Sequence, residues 1–282
     1  MDWTNQWKDW NIQLGIQDGD YIRRNYSDQP QWAQLISKAQ LQFQPHAWKS
    51  LKLTMGIFPS HIGFESAWVQ NNLTLTRSLL AENSPYYESG AHFQWISKNE
   101  KISLGGLILS GWQQAHLELP IKKPSWGWSS NFVLHDNLQL SYNGFWGFQN
   151  TAGNIHRQYH NLYSTLTQKN WKAIVGFDLG NALINNHKSQ WYSPVAIVSN
   201  QMNNHWSIAL RYETMIDSDS FILLNNSEKI VNHSSIGLTL RLKTDNQFLF
   251  QLEGKQSITK DIDNIKNQNT LIMFSVSKAA AF

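Results

Sequence analysis

Apolar and polar residues alternate with a period of two along almost the whole chain, and the cleanest stretch is 206–214. Trp206, Ile208, Leu210 and Tyr212 fall on one side and Ser207, Ala209, Arg211 and Glu213 on the other, the pattern of a strand with one apolar face. The same split separates Trp10, Ile12, Leu14 and Ile16 from Asn11, Gln13 and Gln17, and Leu51, Leu53, Met55 and Ile57 from Lys52, Thr54 and Gly56. It returns in Leu138, Leu140, Tyr142 and Trp146, in Trp171, Ala173, Val175 and Phe177, in Ile236, Leu238, Leu240 and Leu242, and in Phe248, Phe250 and Leu252. Weaker candidates are 35–44, 90–96, 102–112, 126–134, 159–167, 191–198 and 270–282. Together they predict about 14 strands (12–16) of roughly 8 to 11 residues, the length that crosses a bilayer at a tilt.

The links carry a second regularity. Long candidates at 18–34, 59–89, 113–125, 148–156, 181–190, 216–233 and 256–269 alternate with short ones at 45–50, 97–101, 135–137, 168–170, 199–205 and 244–246. His135-Asp136-Asn137, Gln168-Lys169-Asn170 and Thr244-Asp245-Asn246 supply turn chemistry in the short links. Trp48, Trp171 and Trp206 follow short links, whereas Trp112, Trp126, Trp146 and Trp191 lie beside long ones. Two aromatic belts at two membrane interfaces are expected from this, with core packing as the alternative for any single Trp. A soluble sandwich or propeller also alternates, but a sandwich has no reason for long and short links to take turns, and no residue repeat points to a propeller. The expected fold is all-β: a single closed antiparallel transmembrane β-barrel over 1–282, one domain, with short periplasmic turns, long extracellular loops and both termini in the periplasm.

Composition narrows the chemistry. The chain has 282 residues with 14 Trp, 13 Phe, 9 Tyr, no Cys, 15% charged residues and a net charge of +3. Zero Cys removes disulfides, thiolate metal sites and cysteine nucleophiles. The scattered Lys and Arg form no basic stripe, so no nucleic-acid partner is expected. No stretch reaches the roughly 18 uninterrupted apolar residues of a spanning helix, and no signal peptide opens the sequence at Met1-Asp2-Trp3. The chain is then either cytoplasmic or a mature form with an added start methionine.

The most distinctive stretch is Gly56-Ile57-Phe58-Pro59-Ser60-His61-Ile62-Gly63-Phe64-Glu65, followed by Thr76-Arg77-Ser78 and by Glu82-Asn83-Ser84-Pro85-Tyr86-Tyr87-Glu88-Ser89-Gly90. It resembles the OmpL-like β-barrel porin family of Bacteroidetes-type, Gram-negative outer membranes, in which a strand ends in G-x-F-P-x-x-I-G-[YF]-E, a loop carries S-R-S or T-R-S, and the next strand opens with a P-Y-Y-x-x-G-like element. Leu109-Ser110-Gly111-Trp112, Gly176-Phe177-Asp178-Leu179-Gly180, Ser193-Pro194 and Arg211-Tyr212-Glu213 are further matches. The resemblance spans nearly the whole chain and is strongest over 50–113. It implies an outer-membrane porin-like barrel, normally made with a secretion signal. The C-terminus fits in Phe282 but departs in Lys278, which falls on the apolar stripe of Ile272, Phe274, Val276 and Ala280, and in the bland Ala279-Ala280-Ala281.

The long segment from Ser60 to Ser89 is the candidate internal constriction, since it concentrates His61, Glu65, Arg77, Glu82 and Glu88 among apolar residues. A short helix is expected over 73–81 with Asn71 or Asn72 as its cap. Glu65 and Arg77 either face each other across an eyelet or form a buried pair pinning the loop to the wall. Lys52, Lys172, Asp178, Arg211, Glu213, Arg241, Lys243, Glu253 and Lys255 sit on the polar stripe as pore-lining candidates or as a salt-bridged plug, and their mixed signs predict no strong ion selectivity. An enzyme is not expected: His156 and His160, His116-Leu117-Glu118 and His233-Ser234-Ser235 match no catalytic spacing, and the last two read as loop polarity. No cofactor or metal is expected. The partners are outer-membrane lipid and small hydrophilic solutes, with a homo-oligomer or an outer-membrane complex partner left open. Passive diffusion is the primary reading. A non-conducting scaffold barrel and a soluble Trp-rich carbohydrate-binding β-domain are the alternatives.

Overall fold

The computed structural model describes residues 2–26, 29–114, 123–149, 155–225 and 228–278. Its strands are β1 (Asp2–Trp7), β2 (Trp10–Ile16), β3 (Ile36–Phe43), β4 (Leu51–Pro59), β5 (Tyr87–Ile96), β6 (Ile102–Leu109), β7 (Ser125–His135), β8 (Leu138–Phe148), β9 (Ile155–Gln168), β10 (Trp171–Ile184), β11 (His187–Gln201), β12 (Trp206–Asp217), β13 (Leu224–Asn225), β14 (Glu228–Lys243), β15 (Phe248–Asp261) and β16 (Lys266–Lys278). All but the two-residue β13 follow one another in a single antiparallel path of 15 strands, each bonded to its neighbours in sequence. Two short helices, α1 (Asp20–Asn25) and α2 (Gln31–Gln34), lie in the link from β2 to β3.

Side-chain alternation decides which face is which. Along β10, Ile174, Gly176, Asp178, Gly180 and Ala182 turn inward, while Val175, Phe177 and Leu179 are exposed on the outside. Across the path the outward stripe is apolar and accessible, with Leu210, Leu238, Leu252 and Phe274 among its exposed members. The inward stripe is polar or buried. An apolar exterior around a polar or packed interior is the inside-out pattern of a barrel wall in lipid.

Three expectations are corrected. The strand count is 15 rather than 14, because β1 pairs with β2 through a tight turn at Lys8 and Asp9, where Lys8 takes φ 49°. The sheet is not closed: β1 and β16 share no hydrogen bonds, and β1 and nearly all of β16 are exposed. An odd number of antiparallel strands also puts the start of β1 on the loop rim and the end of β16 on the turn rim, so the described ends do not share one side.

Two links expected to be long are short. Strands β10 and β11 meet through Asn185 and Asn186 at φ 47° and 68°, the two left-handed positions of a tight hairpin turn that Asn tolerates. Strands β15 and β16 turn within 262–265, with Asn264 at φ 61°. Candidate 102–112 stops at Leu109, and His233-Ser234-Ser235 lies within β14 rather than in a loop. His116-Leu117-Glu118 and 279–282 lie outside the described residues. Lys278 does face outward, and its ammonium lies 4.9 Å over the Phe248 ring at the turn rim, where a long cation reaches the interface.

Two glycines of the distinctive stretch have a steric reason. Gly56 and Gly90 pair across β4 and β5 with φ 112° and 157°. A Cβ on Gly90 would lie 2.0 Å from the Ile108 carbonyl oxygen, and one on Gly56 2.1 Å from that of Ala39. The neighbouring strands therefore approach at distances that exclude any side chain.

Candidate functional site

The segment between β4 and β5 folds into the barrel and is held on two walls. On one wall, His61 Nδ1 lies 2.7 Å from Glu88 Oε2 on β5, and Nε2 lies 2.8 Å from the Gly144 carbonyl oxygen on β8. Both partners are acceptors, so both ring nitrogens donate, which requires the imidazolium. Burial opposes that charge, but the Glu88 carboxylate and the Gly144 carbonyl outweigh it and hold His61 above its ordinary value. Next along, Gly63 N–H donates to Asn161 Oδ1 at 3.0 Å. Asn161 is set by partners on the two flanking strands: Asn143 donates to it at 3.1 Å, and it donates to Asp178 at 2.5 Å. Tyr159 O–H also donates to Asp178.

The opposite wall is built by β12, β14 and β15. Glu253 accepts from the successive N–H groups of Leu75 and Thr76 at 2.8 and 3.0 Å, and from the Thr76 hydroxyl. Arg211 donates to Thr74 Oγ1 and Thr76 Oγ1 at 2.8 and 2.7 Å, and to the Thr76 carbonyl. Glu213 accepts from Leu79 N–H at 2.7 Å and pairs with Lys255 at 3.0 Å. Arg211 lies within 3.3 Å of Glu213 and 3.5 Å of Glu253, so the charges compensate one another in a fully buried cluster. Arg241 donates to the Gln70 carbonyl at 2.9 Å at the tip of the loop. Each carboxylate thus receives backbone N–H groups that the irregular loop cannot pair within itself.

Inside the loop the expected helix over 73–81 is replaced by a single turn, α3 (Leu79–Glu82), capped by Ser78. Asn72 instead braces Ser66 through both its backbone groups. Glu65 and Arg77 form neither of the expected pairs. Glu65 accepts from Ser78 N–H at 2.9 Å and from its hydroxyl, and burial pushes its carboxyl up. Arg77 is buried, donates to the Ala81 carbonyl at 3.0 Å and lies 4.0 Å over the Tyr86 ring. Glu82 accepts from Tyr21 and Tyr86 hydroxyls at 2.7 and 2.8 Å.

Apolar packing fills the space around these anchors. Phe58, Ile62, Leu107, Leu109, Phe145 and Tyr159 form one buried cluster, joined by Trp112 and Trp191. Trp112 and Trp191, expected in the aromatic belt, point inward instead; Trp191 is fully buried. Gly180 makes room for it, since a Cβ there would sit 2.2 Å from the indole. Trp48, Trp126, Trp146, Trp171 and Trp206 are exposed. Leu80 of the loop packs on Ile174, Val195 and Ile197 in a second cluster.

Sequence reasoning missed Arg157, a buried inward residue of β9. Its guanidinium lies 4.5 Å from the Trp112 ring and 5.3 Å from Trp191, and donates to Gln149 at 3.0 Å. Its parity with Tyr159 and Asn161 could have signalled it. His156 and His160 face outward, against Trp146 and Tyr142 respectively.

Below the loop the lumen is open and polar. A cavity of about 740 Å³ is lined by Gln70, Asn71, Gln201, Ser207, Arg241 and Lys243, and one of about 240 Å³ by Gln6, Lys8, Asn11, Gln42 and Lys52. Lys52, Lys172, Arg241 and Lys243 have no carboxylate within 4 Å among the described residues.

The family model described as "Putative beta-barrel porin-2, OmpL-like" matches residues 4–282. The chain belongs to this β-barrel porin family. Its fold is shared with outer-membrane channels of very different sequence. The channel DcaP of Acinetobacter baumannii superposes with a TM-score of 0.64 at 8% identity, over 98% of this chain and 82% of that one. OmpT of Vibrio cholerae gives 0.59 at 10% identity, over 98% and 85%. An anion-selective porin from Comamonas acidovorans gives 0.58 at 9% identity, over 92% and 76%. No curated protein matches the sequence. The soluble carbohydrate-binding reading gives way to family membership and to the apolar outer stripe.

Proposed function

We propose that this porin-family barrel is an outer-membrane channel for passive diffusion of small hydrophilic solutes, with the loop 60–86 as its constriction. The observation that carries the reading is the loop itself: it crosses the lumen between β5, β8 and β9 on one side and β12, β14 and β15 on the other, above a polar vestibule. The short turns are assigned to the periplasm and the longer loops to the cell exterior. Because Glu65, Glu88, Glu213 and Glu253 accept hydrogen bonds from the loop while Lys52 and Lys243 have no carboxylate within 4 Å among the described residues, passage favours anions modestly. A modest preference is compatible with the expectation of no strong ion selectivity.

Fully buried apolar clusters in the loop half favour a second reading, a barrel that conducts only when the loop is displaced, or serves as a scaffold. Single-channel recording in planar bilayers separates the two. Steady steps from the intact protein support the diffusion channel. Steps only after the 64–84 segment is replaced by a short Gly/Ser link support the closed barrel, and silence from both proteins overturns conduction.

A further inference from the structure

The outer wall is not uniformly convex. At the turn rim, between β3 and β6, a cavity of about 510 Å³ is walled by Phe43, Leu53, Phe93, Trp95 and Leu104. Its floor exists because Gly106 points outward between Phe93 and Trp128 in register, so the row of large outward side chains is broken there. A Cβ on Gly106 would meet nothing within 4 Å. The trough continues past Trp48, Leu51 and Trp95 into a second cavity of about 710 Å³ bounded by His46, Lys49 and Lys98. Lys49 and Lys98 are exposed and have no carboxylate within 4 Å among the described residues. Asp9, the acid beside this end, is taken up by His46.

One end of the groove is thus apolar and the other cationic, with two exposed Trp side chains between them. We infer that the groove binds an anionic glycerophospholipid, an acyl chain lying in the Gly106 trough and the headgroup phosphate held by Lys49 and Lys98. Ordinary lipid contact on a barrel needs neither a trough nor a cationic end, and aromatic residues at the headgroup level mark the boundary the molecule would straddle. A lysine at a membrane surface favours anionic lipid by an amount that corresponds to about fivefold in affinity. The inference rests on the barrel being embedded in a membrane and is independent of whether the lumen conducts.

The test is native mass spectrometry of the folded, detergent-purified chain with added phosphatidylglycerol or phosphatidylethanolamine. The expected result is one retained phosphatidylglycerol, lost in Gly106→Leu, whose side chain starts from a Cβ in open space and fills the trough. In a Lys49→Gln, Lys98→Gln variant the preference for phosphatidylglycerol over phosphatidylethanolamine should fall by about fivefold or more. Retention by Gly106→Leu equal to that of the unmodified protein would mean non-specific lipid only and overturn the inference. If Gly106→Leu fails to fold, as judged by heat modifiability, the lysine variant decides alone: an unchanged headgroup preference overturns it.

Discussion

The two halves of the lumen are built from the same inward stripe and do opposite things with it. On the loop side, carboxylates and Arg211 are buried, mutually compensated and committed to backbone groups of the loop, with aromatic and aliphatic side chains sealing the rest. On the turn side, Lys52 and Lys243 face open cavities of about 240 and 740 Å³. The difference shows that a charge on the inner wall of a barrel has no fixed role. Where a loop reaches it, the charge becomes a fastener; where water reaches it, the charge sets the potential.

The largest effect should come from abolishing the contrast. Replacing 64–84 by a short link makes both halves wet, and conductance in planar bilayers should rise roughly threefold or more. Next, Glu253→Gln removes the negative charge and one of the two acceptor oxygens that serve Leu75, Thr76 and Arg211, leaving a buried guanidinium under-compensated. The loop should loosen by about 3 kcal/mol, seen as faster amide exchange over 70–80 with unchanged exchange in the strands. Gly180→Ala pushes on Trp191 and should lower barrel stability by about 2 kcal/mol in heat-modifiability assays.

Smaller and more diagnostic is the pH response. His61 is held above its ordinary value, so its contribution is fully present below the unfolded-state value and is lost as pH rises through the folded one. Exchange or protease sensitivity near 60–64 should therefore increase on raising the pH above neutrality, and His61→Gln should flatten that response. The smallest expected effect is Lys243→Gln, which should reduce the anion-to-cation permeability ratio by about twofold or less, read as a shift in reversal potential.

Most strands were legible because one of their faces had to meet lipid. Stretches such as 206–214 alternate so strictly that no other element accommodates them. Legibility failed where that requirement lapses. Strand β1 sets Trp3, Asn5 and Trp7 against Asp2, Thr4 and Gln6, and Asn185 to Gln190 is polar on both faces, so a hairpin projecting to the rim read as a loop. Trp191 was misplaced because Val195 and Ile197 on its side are as apolar as Ala196 and Val198 opposite, so parity alone did not reveal the lumen. The inward candidates Arg211, Glu213 and Glu253 were visible as a stripe. Their partners Thr74, Thr76 and Leu79 were not, because nothing in a loop's sequence announces which distant strand will accept its backbone.

That distance has a kinetic consequence. Apart from the two-residue β13, every strand of the wall pairs with the next one along the chain, so the wall can zip up hairpin by hairpin with little loop-closure entropy at each step. The fastenings of the inward loop are of another kind: Leu75 meets Glu253 across 178 residues and Leu79 meets Glu213 across 134. They cannot form until the late strands have been made and the sheet has curled round to present them. The loop must therefore wait beside an unfinished barrel and dock last, so folding should end in a slow phase that reports the arrival of β12 to β15 rather than the growth of the wall.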